Sequence, residues 1–104
     1  MSITKILGER IVFIDGAMGT FLQENGLKSG ELPESMNISN PELITKIHLE
    51  YLEAGCDIIT ANTFGANSIK LEGTNLNAQN VVSAALRNAK AAVKSASITK
   101  KRYI

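Results

Sequence analysis

The feature that most constrains the fold is an apolar run over residues 11–14 that ends abruptly in Asp15 and a glycine-rich turn. The run is continuous rather than alternating and contains β-branched residues, which predicts a strand that is buried on both faces. Acidic side chains such as Asp15 are rarely placed at the end of a buried strand for packing alone. Because α/β proteins bind ligands at the carboxyl ends of their strands, this segment predicts a fold class and a site together.

A well-delimited helix follows the long loop after this strand. Asn40 is a good N-cap, Pro41 suits the first helical position, and Gly55 supplies the residue that ends the helix. One apolar stripe runs along it and consists of Leu43, Ile44, Ile47, Tyr51 and Leu52. His48 flanks that stripe, so we expect a partly buried packing histidine and not a catalytic one.

The order of elements then repeats. A second buried strand is predicted over residues 57–62, a long helix over about 78–96, and the start of a third strand over 102–104. The apolar stripe of the long helix is predicted to comprise Val82, Ala85, Leu86, Ala89 and Val93. This alternation predicts an α/β fold with a parallel sheet. Because a complete eightfold βα barrel takes about 250 residues, we expect these 104 residues to be the opening part of a larger domain.

Composition excludes several classes of function. The formal charge of +1 gives no field that would attract nucleic acid or an anionic membrane, and the basic cluster over residues 100–102 is expected to be a solvated turn. No apolar run approaches the ~18 residues that a membrane span requires. Cys56 is the single cysteine, which predicts a reducing, cytoplasmic location and an inert buried thiol.

Polar residues end both predicted strands in equivalent places. The carboxylate of Asp15 could hold an ammonium group, the carboxamide of Asn62 could bond either end of an amino acid, and Gly16 and Gly19 could expose N–H groups to a carboxylate. The alternative is that Asp15 and Asn62 only cap the following turns, and the residues alone leave these two interpretations balanced. A nucleotide-binding Rossmann fold is a weaker alternative, because the glycine spacing lacks the phosphate-loop pattern.

Apolar residues border these polar positions. Met18, Phe21 and Phe64 could form the walls of a small pocket or fill the rim of a barrel. For Met18 we favour the rim, and for Phe64 the sequence does not separate the two.

Several separated motifs, in order and in spacing, resemble the homocysteine S-methyltransferase family, and most closely its cobalamin-dependent members. The motifs are residues 15–20, Asn37, residues 40–42, Ile47-His48, Tyr51, residues 54–59 and residues 62–66. The resemblance implies that residues 1–104 are the N-terminal portion of a homocysteine-binding (β/α)8 TIM-type barrel. It covers the chain from about residue 8 onward.

The resemblance also implies a reaction and its cofactors. A methyl group would pass to the zinc-activated thiol of homocysteine to form methionine, with methylcobalamin or 5-methyltetrahydrofolate as the donor and with cobalamin and folate held by other modules. The family's three zinc-binding cysteines come from late barrel strands, so we expect neither catalytic nor metal-binding residues within this chain. Cys56 stands where the family more often has alanine and is not expected to be a ligand.

The resemblance assigns roles to a limited set of positions. Asp15 would hold the substrate ammonium group, and Asn62, Thr63 and Phe64 would line the mouth of the site. Backbone N–H groups would receive the substrate carboxylate, and they belong to Gly16, Ala17, Gly19 and Thr20. The remaining barrel strands or other modules are the expected protein partners.

Two alternatives stay open. Betaine or S-methylmethionine could be the methyl donor in place of methylcobalamin. The chain could also be a truncated, inactive fragment, in which case we expect the isolated polypeptide to be partly unfolded or self-associated, because apolar helix faces and an unpaired strand edge would be exposed.

Overall fold

A computed structural model describes residues 3–28, 30–97 and 100–104. Most of the regular structure there is helical. The elements are α1 (Ile3–Leu7), α2 (Gly19–Glu24), a 3-10 helix (Pro33–Ser35), α3 (Met36–Ser39), α4 (Pro41–Glu53) and α5 (Ala78–Ser95). The structure confirms the predicted helices that correspond to α4 and α5.

Three extended segments, numbered first to third in chain order, lie side by side around Ile14, Ile58 and Tyr103. The second segment lies between the other two. Ile58 forms single parallel bridges to Ile14 on one side and to Tyr103 on the other. The Asp15 N–H donates to the Ile58 carbonyl at 3.0 Å, and the Ile59 N–H donates to the Tyr103 carbonyl at 2.9 Å. The parallel direction agrees with the predicted βα order. The described ranges contain no continuous strand, because the three segments pair through two isolated bridges and the few backbone hydrogen bonds beside them.

The predicted burial of the first segment on both faces is also wrong. Ile11, Phe13 and Ile14 are 77%, 59% and 62% exposed. Their segment lies at the edge of the three, since Ile58 occupies the central place and bridges to both sides. Ile59, on the central segment, is fully buried. The apolar pattern of residues 11–14 therefore predicts a buried strand, but the segment lies at an exposed edge of the described residues.

Helix α4 begins and ends where the sequence predicts. The Asn40 side chain accepts from the Leu43 N–H at 3.4 Å, and Pro41 occupies the first turn. Gly55, immediately after the helix, has a φ of +108°, a left-handed conformation that glycine adopts without the steric cost of a Cβ. His48 is fully buried on this helix, so the packing role is confirmed and its burial is greater than expected.

Two apolar clusters form the core. One gathers α2, α3 and α4 and consists of Leu22, Leu27, Met36, Ile44 and Ile47. The other joins α4 to the second extended segment and to α5, and consists of Leu52, Ile59, Ala89 and Ala92. Tyr51 packs against both clusters. The same helix, α4, thus holds the core on one side and approaches the ends of the bridged segments on the other.

Helix α5 is rotated relative to its predicted apolar stripe. Its buried residues are Val81, Ala84, Ala85, Asn88, Ala89 and Ala92. Of the predicted stripe only Ala85 and Ala89 are buried, whereas Leu86 is 38% exposed. The α5 helix packs on α4 and α3, and small side chains allow the helix axes to approach more closely than leucine or valine would. The packing partner, and not side-chain hydrophobicity, therefore selects the face.

The end of the chain is not the solvated basic turn that we expected. The Asp57 carboxylate is fully buried and binds the Arg10 guanidinium through both oxygens, at 2.9 and 3.1 Å. Lys100 Nζ lies 3.0 Å from Asp57 Oδ1. Arg102 is 8% exposed and donates to the Leu52 carbonyl at 2.9 Å. Two of the three basic residues thus bind acceptors within the fold, and the expectation was wrong for them.

Cys56 is a free thiol that is half-buried and not fully buried as expected. Burial raises its pKa above the ordinary value, which keeps the thiol protonated and unreactive near neutral pH. None of the helices within the described residues combines the length and the apolar character needed to cross a membrane.

Candidate functional site

A cavity of about 210 Å³ lies at the carboxyl ends of the first two bridged segments. It is lined by Asp15, Gly16, Met18, Thr60, Ala61, Asn62, Thr63 and Phe64. Five of the eight residues predicted for the substrate site line this cavity, which we call the bridge-end pocket. A larger and more open depression of about 400 Å³ lies on α4 and contains none of the predicted residues.

Asp15 is held at the entrance to this pocket by the second segment. The Thr60 N–H donates to Asp15 Oδ2 at 2.9 Å, and Thr60 Oγ1 donates to Oδ1 at 3.0 Å. Each carboxylate oxygen has more than one acceptor position, so both can accept a further hydrogen bond from a ligand. These bonds join Asp15 to the second segment and not to the turn that follows it, so the carboxylate ties two segments together and can still accept from a ligand.

The side chain of Asn62 serves the fold more than the pocket. It is 8% exposed, and its Nδ2 donates to the Pro33 carbonyl at 3.0 Å. The backbone carbonyl of Asn62 accepts from Asn37 Nδ2 at 2.8 Å. The amide nitrogen of Asn62 thus bonds to the start of the 3-10 helix and not to the turn that follows Asn62, while the residue still lines the pocket.

The neighbours of Asn62 differ in their exposure. The Thr63 N–H is engaged with the Ala61 carbonyl at 2.8 Å. Phe64 is 93% exposed, and Lys70 Nζ lies 5.7 Å from its ring centroid. Phe64 therefore lies at the exposed edge of the pocket with the Lys70 ammonium group near its ring, and it is not part of the core.

The other three predicted residues do not line the pocket. Gly19 and Thr20 begin α2, and Ala17 precedes it. The Tyr51 hydroxyl donates to the Ala17 carbonyl at 2.8 Å, which ties this turn to α4. A Cβ on Gly16 would stand 3.1 Å from the same hydroxyl oxygen, a tight contact that the absence of a side chain on Gly16 avoids. Sequence reasoning placed Tyr51 in the apolar stripe and missed this contact.

Thr60 and Tyr51 are the residues that pattern reasoning overlooked. Thr60 lies inside a predicted strand and carries no motif of its own. Burial raises the pKa of the Tyr51 phenol, with the nearby Asp15 as a second cause, so it stays a hydrogen-bond donor at neutral pH. Met18 lines the pocket and also packs on the first apolar cluster, whereas Phe21 packs edge-on against the Tyr51 ring at 5.8 Å.

His48 does not line the bridge-end pocket. Neither of its ring nitrogens has a hydrogen-bond partner among the described residues. Burial lowers its pKa, and the charge of Asp15 opposes that shift. The buried ring is therefore neutral near pH 7.

The residues that the structure describes include no group of three or more His, Cys, Asp or Glu side chains that could hold a metal ion. Cys56 lines a different cavity together with Arg10 and Lys100. These residues therefore do not fit a zinc ion.

The chain is similar to known proteins over most of its length. The family model for homocysteine S-methyltransferase matches residues 12–104. Methionine synthase from Mycobacterium leprae is 39% identical over 67 residues, which is 59% of this chain and 6% of that protein. Methionine synthase from Mycobacterium tuberculosis is 38% identical over 68 residues, with 60% of this chain and 6% of that protein covered.

Solved structures agree at the level of the backbone. The metallated form of the homocysteine methyltransferase MmuM from Escherichia coli matches with a TM-score of 0.76 and 24% identity, over 88% of this chain and 34% of that one. Its oxidized form gives a TM-score of 0.79, also at 24% identity, with 89% and 34% covered. The chain thus spans about a third of that structure and a small part of the two methionine synthases. With the family model matching most of its length, this chain belongs to the homocysteine S-methyltransferase family.

Proposed function

We propose that the chain is the N-terminal portion of a (β/α)8 barrel that methylates homocysteine to methionine, and that it supplies recognition of the amino-acid end of the substrate. Family membership supports the reaction class. The observation that carries the site is the bridge-end pocket, where a carboxylate, backbone turns and small polar residues meet beside two parallel bridged segments.

In this proposal Asp15 is the anionic contact for the substrate ammonium group. Its bonds to Thr60 fix the carboxylate before a ligand arrives, which reduces the entropy lost on binding. Of the four predicted backbone donors only Gly16 lines the pocket, and its N–H is proposed to receive the substrate carboxylate. Tyr51 holds the turn that follows through the Ala17 carbonyl. Thr63 and Phe64 complete the opposite side of the pocket. None of these groups is proposed to be catalytic.

A zinc ion that activates the thiol would need ligands other than the described residues, and we assign no step of the reaction to it. We propose that such ligands, and any cobalamin or folate modules, belong to other parts of the whole cytoplasmic protein. The resemblance of the sequence motifs to the cobalamin-dependent members of the family supports methylcobalamin or 5-methyltetrahydrofolate as the donor. Betaine and S-methylmethionine are the alternatives, and methionine formation measured with each donor in turn distinguishes them.

Substitution of Asp15 in the complete protein tests the site. We expect Asp15→Ala to weaken homocysteine binding about 10- to 100-fold by calorimetry, because a hydrogen bond to a charged group contributes about 1.5–3 kcal/mol. Zinc content, measured by elemental analysis, should not change. Asp15→Asn removes the charge and retains an acceptor for Thr60, so weak binding by this variant separates ligand recognition from the bonds between Asp15 and Thr60.

Glu72→Gln, at an exposed position outside the pocket, is the matched control and should bind as the wild type does. Unchanged homocysteine affinity in both Asp15 variants would remove Asp15 from the site. Absence of binding by the wild-type protein would overturn the proposed function itself.

A further inference from the structure

The turn over residues 62–65, which forms one side of the bridge-end pocket, is held from behind by a segment that does not line the pocket. Glu34, in the 3-10 helix, is 4% exposed, and its Oε1 accepts from the Gly65 N–H at 2.6 Å. Asn37 is 1% exposed and donates to the Asn62 carbonyl at 2.8 Å. The two ends of the turn are thus each fixed by a buried polar side chain.

Gly65 is required by close approach and not by its backbone angles. A Cβ at this position would lie 2.7 Å from Glu34 Oε1 and 3.0 Å from its carboxyl carbon, so either the turn or the carboxylate would have to move. The Glu34 side chain has little freedom to withdraw, because it is buried. The glycine and the glutamate therefore form a matched pair, in which the absence of a side chain on one admits the carboxylate of the other.

Packing alone does not account for Glu34. A buried carboxylate is costly unless hydrogen bonds compensate it, and an apolar side chain would fill the same space at lower cost. Glu34 Oε2 has no hydrogen-bond partner among the described residues, so the compensation is incomplete. What the carboxylate does achieve is a short bond to the turn that carries Thr63 and Phe64.

We propose that Glu34 is a positioning residue that sets the shape of the substrate pocket by fixing the 62–65 turn through Gly65. This rests on the proposed function, since the pocket is taken to be the homocysteine site. Asn37 fixes the other end of the turn through its hydrogen bond to the Asn62 carbonyl. It is linked to α5 because Asn88 Nδ2 donates to the Asn37 carbonyl at 3.0 Å.

A double-mutant cycle in the complete protein tests the proposal. Glu34→Ala and Gly65→Ala should each raise the KM for homocysteine roughly tenfold and change kcat less than about threefold, because the pocket is misshapen while the reacting groups lie elsewhere. In the Glu34→Ala background, Gly65→Ala should change KM less than about twofold, since the carboxylate that it would strike is gone. Glu34→Gln keeps an acceptor for the Gly65 N–H and should restore KM to near the wild-type value.

Gly8→Ala is the matched glycine control, because a Cβ there meets only the Lys5 carbonyl at 3.8 Å. Equal effects of Gly65→Ala in both backgrounds would overturn the proposal, as would a Glu34→Gln variant as impaired as Glu34→Ala. Should Glu34→Ala fail to fold, Glu34→Asp replaces it in the cycle, because the shorter side chain withdraws the carboxylate from Gly65.

Amide hydrogen exchange separates this proposal from the proposed function. The Gly65 amide should exchange at least about tenfold faster in Glu34→Ala than in the wild type. Its exchange rate in Glu34→Gln should equal that of the wild type. Both results are expected whether or not homocysteine binds. Unaltered Gly65 exchange in Glu34→Ala would remove the positioning role. A protein that shows the exchange effect but binds no homocysteine would leave the fixed turn in place and refute the substrate assignment.

Discussion

Asp57→Asn should loosen the bridged segments more than any other single polar substitution we consider. The Asp57 carboxylate receives both guanidinium nitrogens of Arg10, Lys100 Nζ and the Phe13 N–H, all within 3.1 Å. Asparagine keeps the shape but turns one acceptor into a donor that faces these donors. Breaking a fully buried pair costs about 3–5 kcal/mol, and an exposed pair contributes at most about 1 kcal/mol.

The expected cost lies between these limits. Asp57 itself is fully buried, but the side chains of Arg10 and Lys100 are 44% and 34% exposed, so both cations regain water when the carboxylate is lost. We therefore expect a loss of about 2 kcal/mol in the local free energy of opening, which is roughly 30-fold in rate.

Amide hydrogen exchange in the complete protein measures this loss. The Ile58 N–H bonds to the Phe13 carbonyl and the Tyr103 N–H bonds to the Asp57 carbonyl, so neither bond is removed directly by the substitution. Both amides should exchange about 30-fold faster in Asp57→Asn, and Glu72→Gln should leave them unchanged. Wild-type exchange rates in the asparagine variant would refute the reasoning.

The pH dependence provides a second check on Asp57. The Arg10 guanidinium holds the pKa of the Asp57 carboxyl well below its usual range. A carboxyl whose pKa is depressed by folding stabilises the fold fully above the unfolded-state pKa, about 3.9, and this stabilisation is lost as the pH falls toward the folded-state value. The difference between wild type and Asp57→Asn should therefore be constant from pH 7 to about pH 5 and shrink below about pH 4. A difference that grows on acidification would contradict the assignment.

Two further predictions concern α4. Burial lowers the folded-state pKa of His48, so the unfolded state binds more protons below its own pKa of about 6.5, and stability should fall as the pH drops from 7 to 5. His48→Leu should abolish that part of the fall in melting temperature, and an identical fall in both proteins would exclude His48 as its origin. Asn40→Ala removes the acceptor for the Leu43 N–H and should cost about 0.5–1 kcal/mol, the low end for an N-cap because the bond is long at 3.4 Å. Exchange of the Leu43 amide measures the cost, and Asn40→Ser should restore most of it.

The local elements were predictable because their signals are local. Asn40, Pro41 and Gly55 mark the ends of α4 in the sequence, and the structure places the helix between them. Residues at the ends of successive parallel segments were expected to meet, and Asp15 and Asn62 do line one pocket. Both inferences need only helix-capping chemistry and the direction of the chain.

The errors arise where distant segments decide the outcome. The buried face of α5 is set by alanines that admit a neighbouring helix, and hydrophobicity alone favoured Leu86. In the sequence, Arg102 and Lys100 have the pattern of exposed charges. The fold brings the Leu52 carbonyl to Arg102 and the Asp57 carboxylate to Lys100, and neither acceptor is close to them in sequence. Glu34 carries no motif, since its function depends on a glycine 31 residues away.

Tyr51 has a consequence for the motions of this region. Its ring packs against both apolar clusters, and its hydroxyl bonds to the turn before α2. Opening of that turn therefore requires either loss of one hydrogen bond at the tyrosine hydroxyl or displacement of a ring shared by the two clusters. The first event is local and fast, whereas the second disrupts much of the core. Tyr51 thus divides the fluctuations of the site into small openings that leave the core intact and rare ones that amount to partial unfolding.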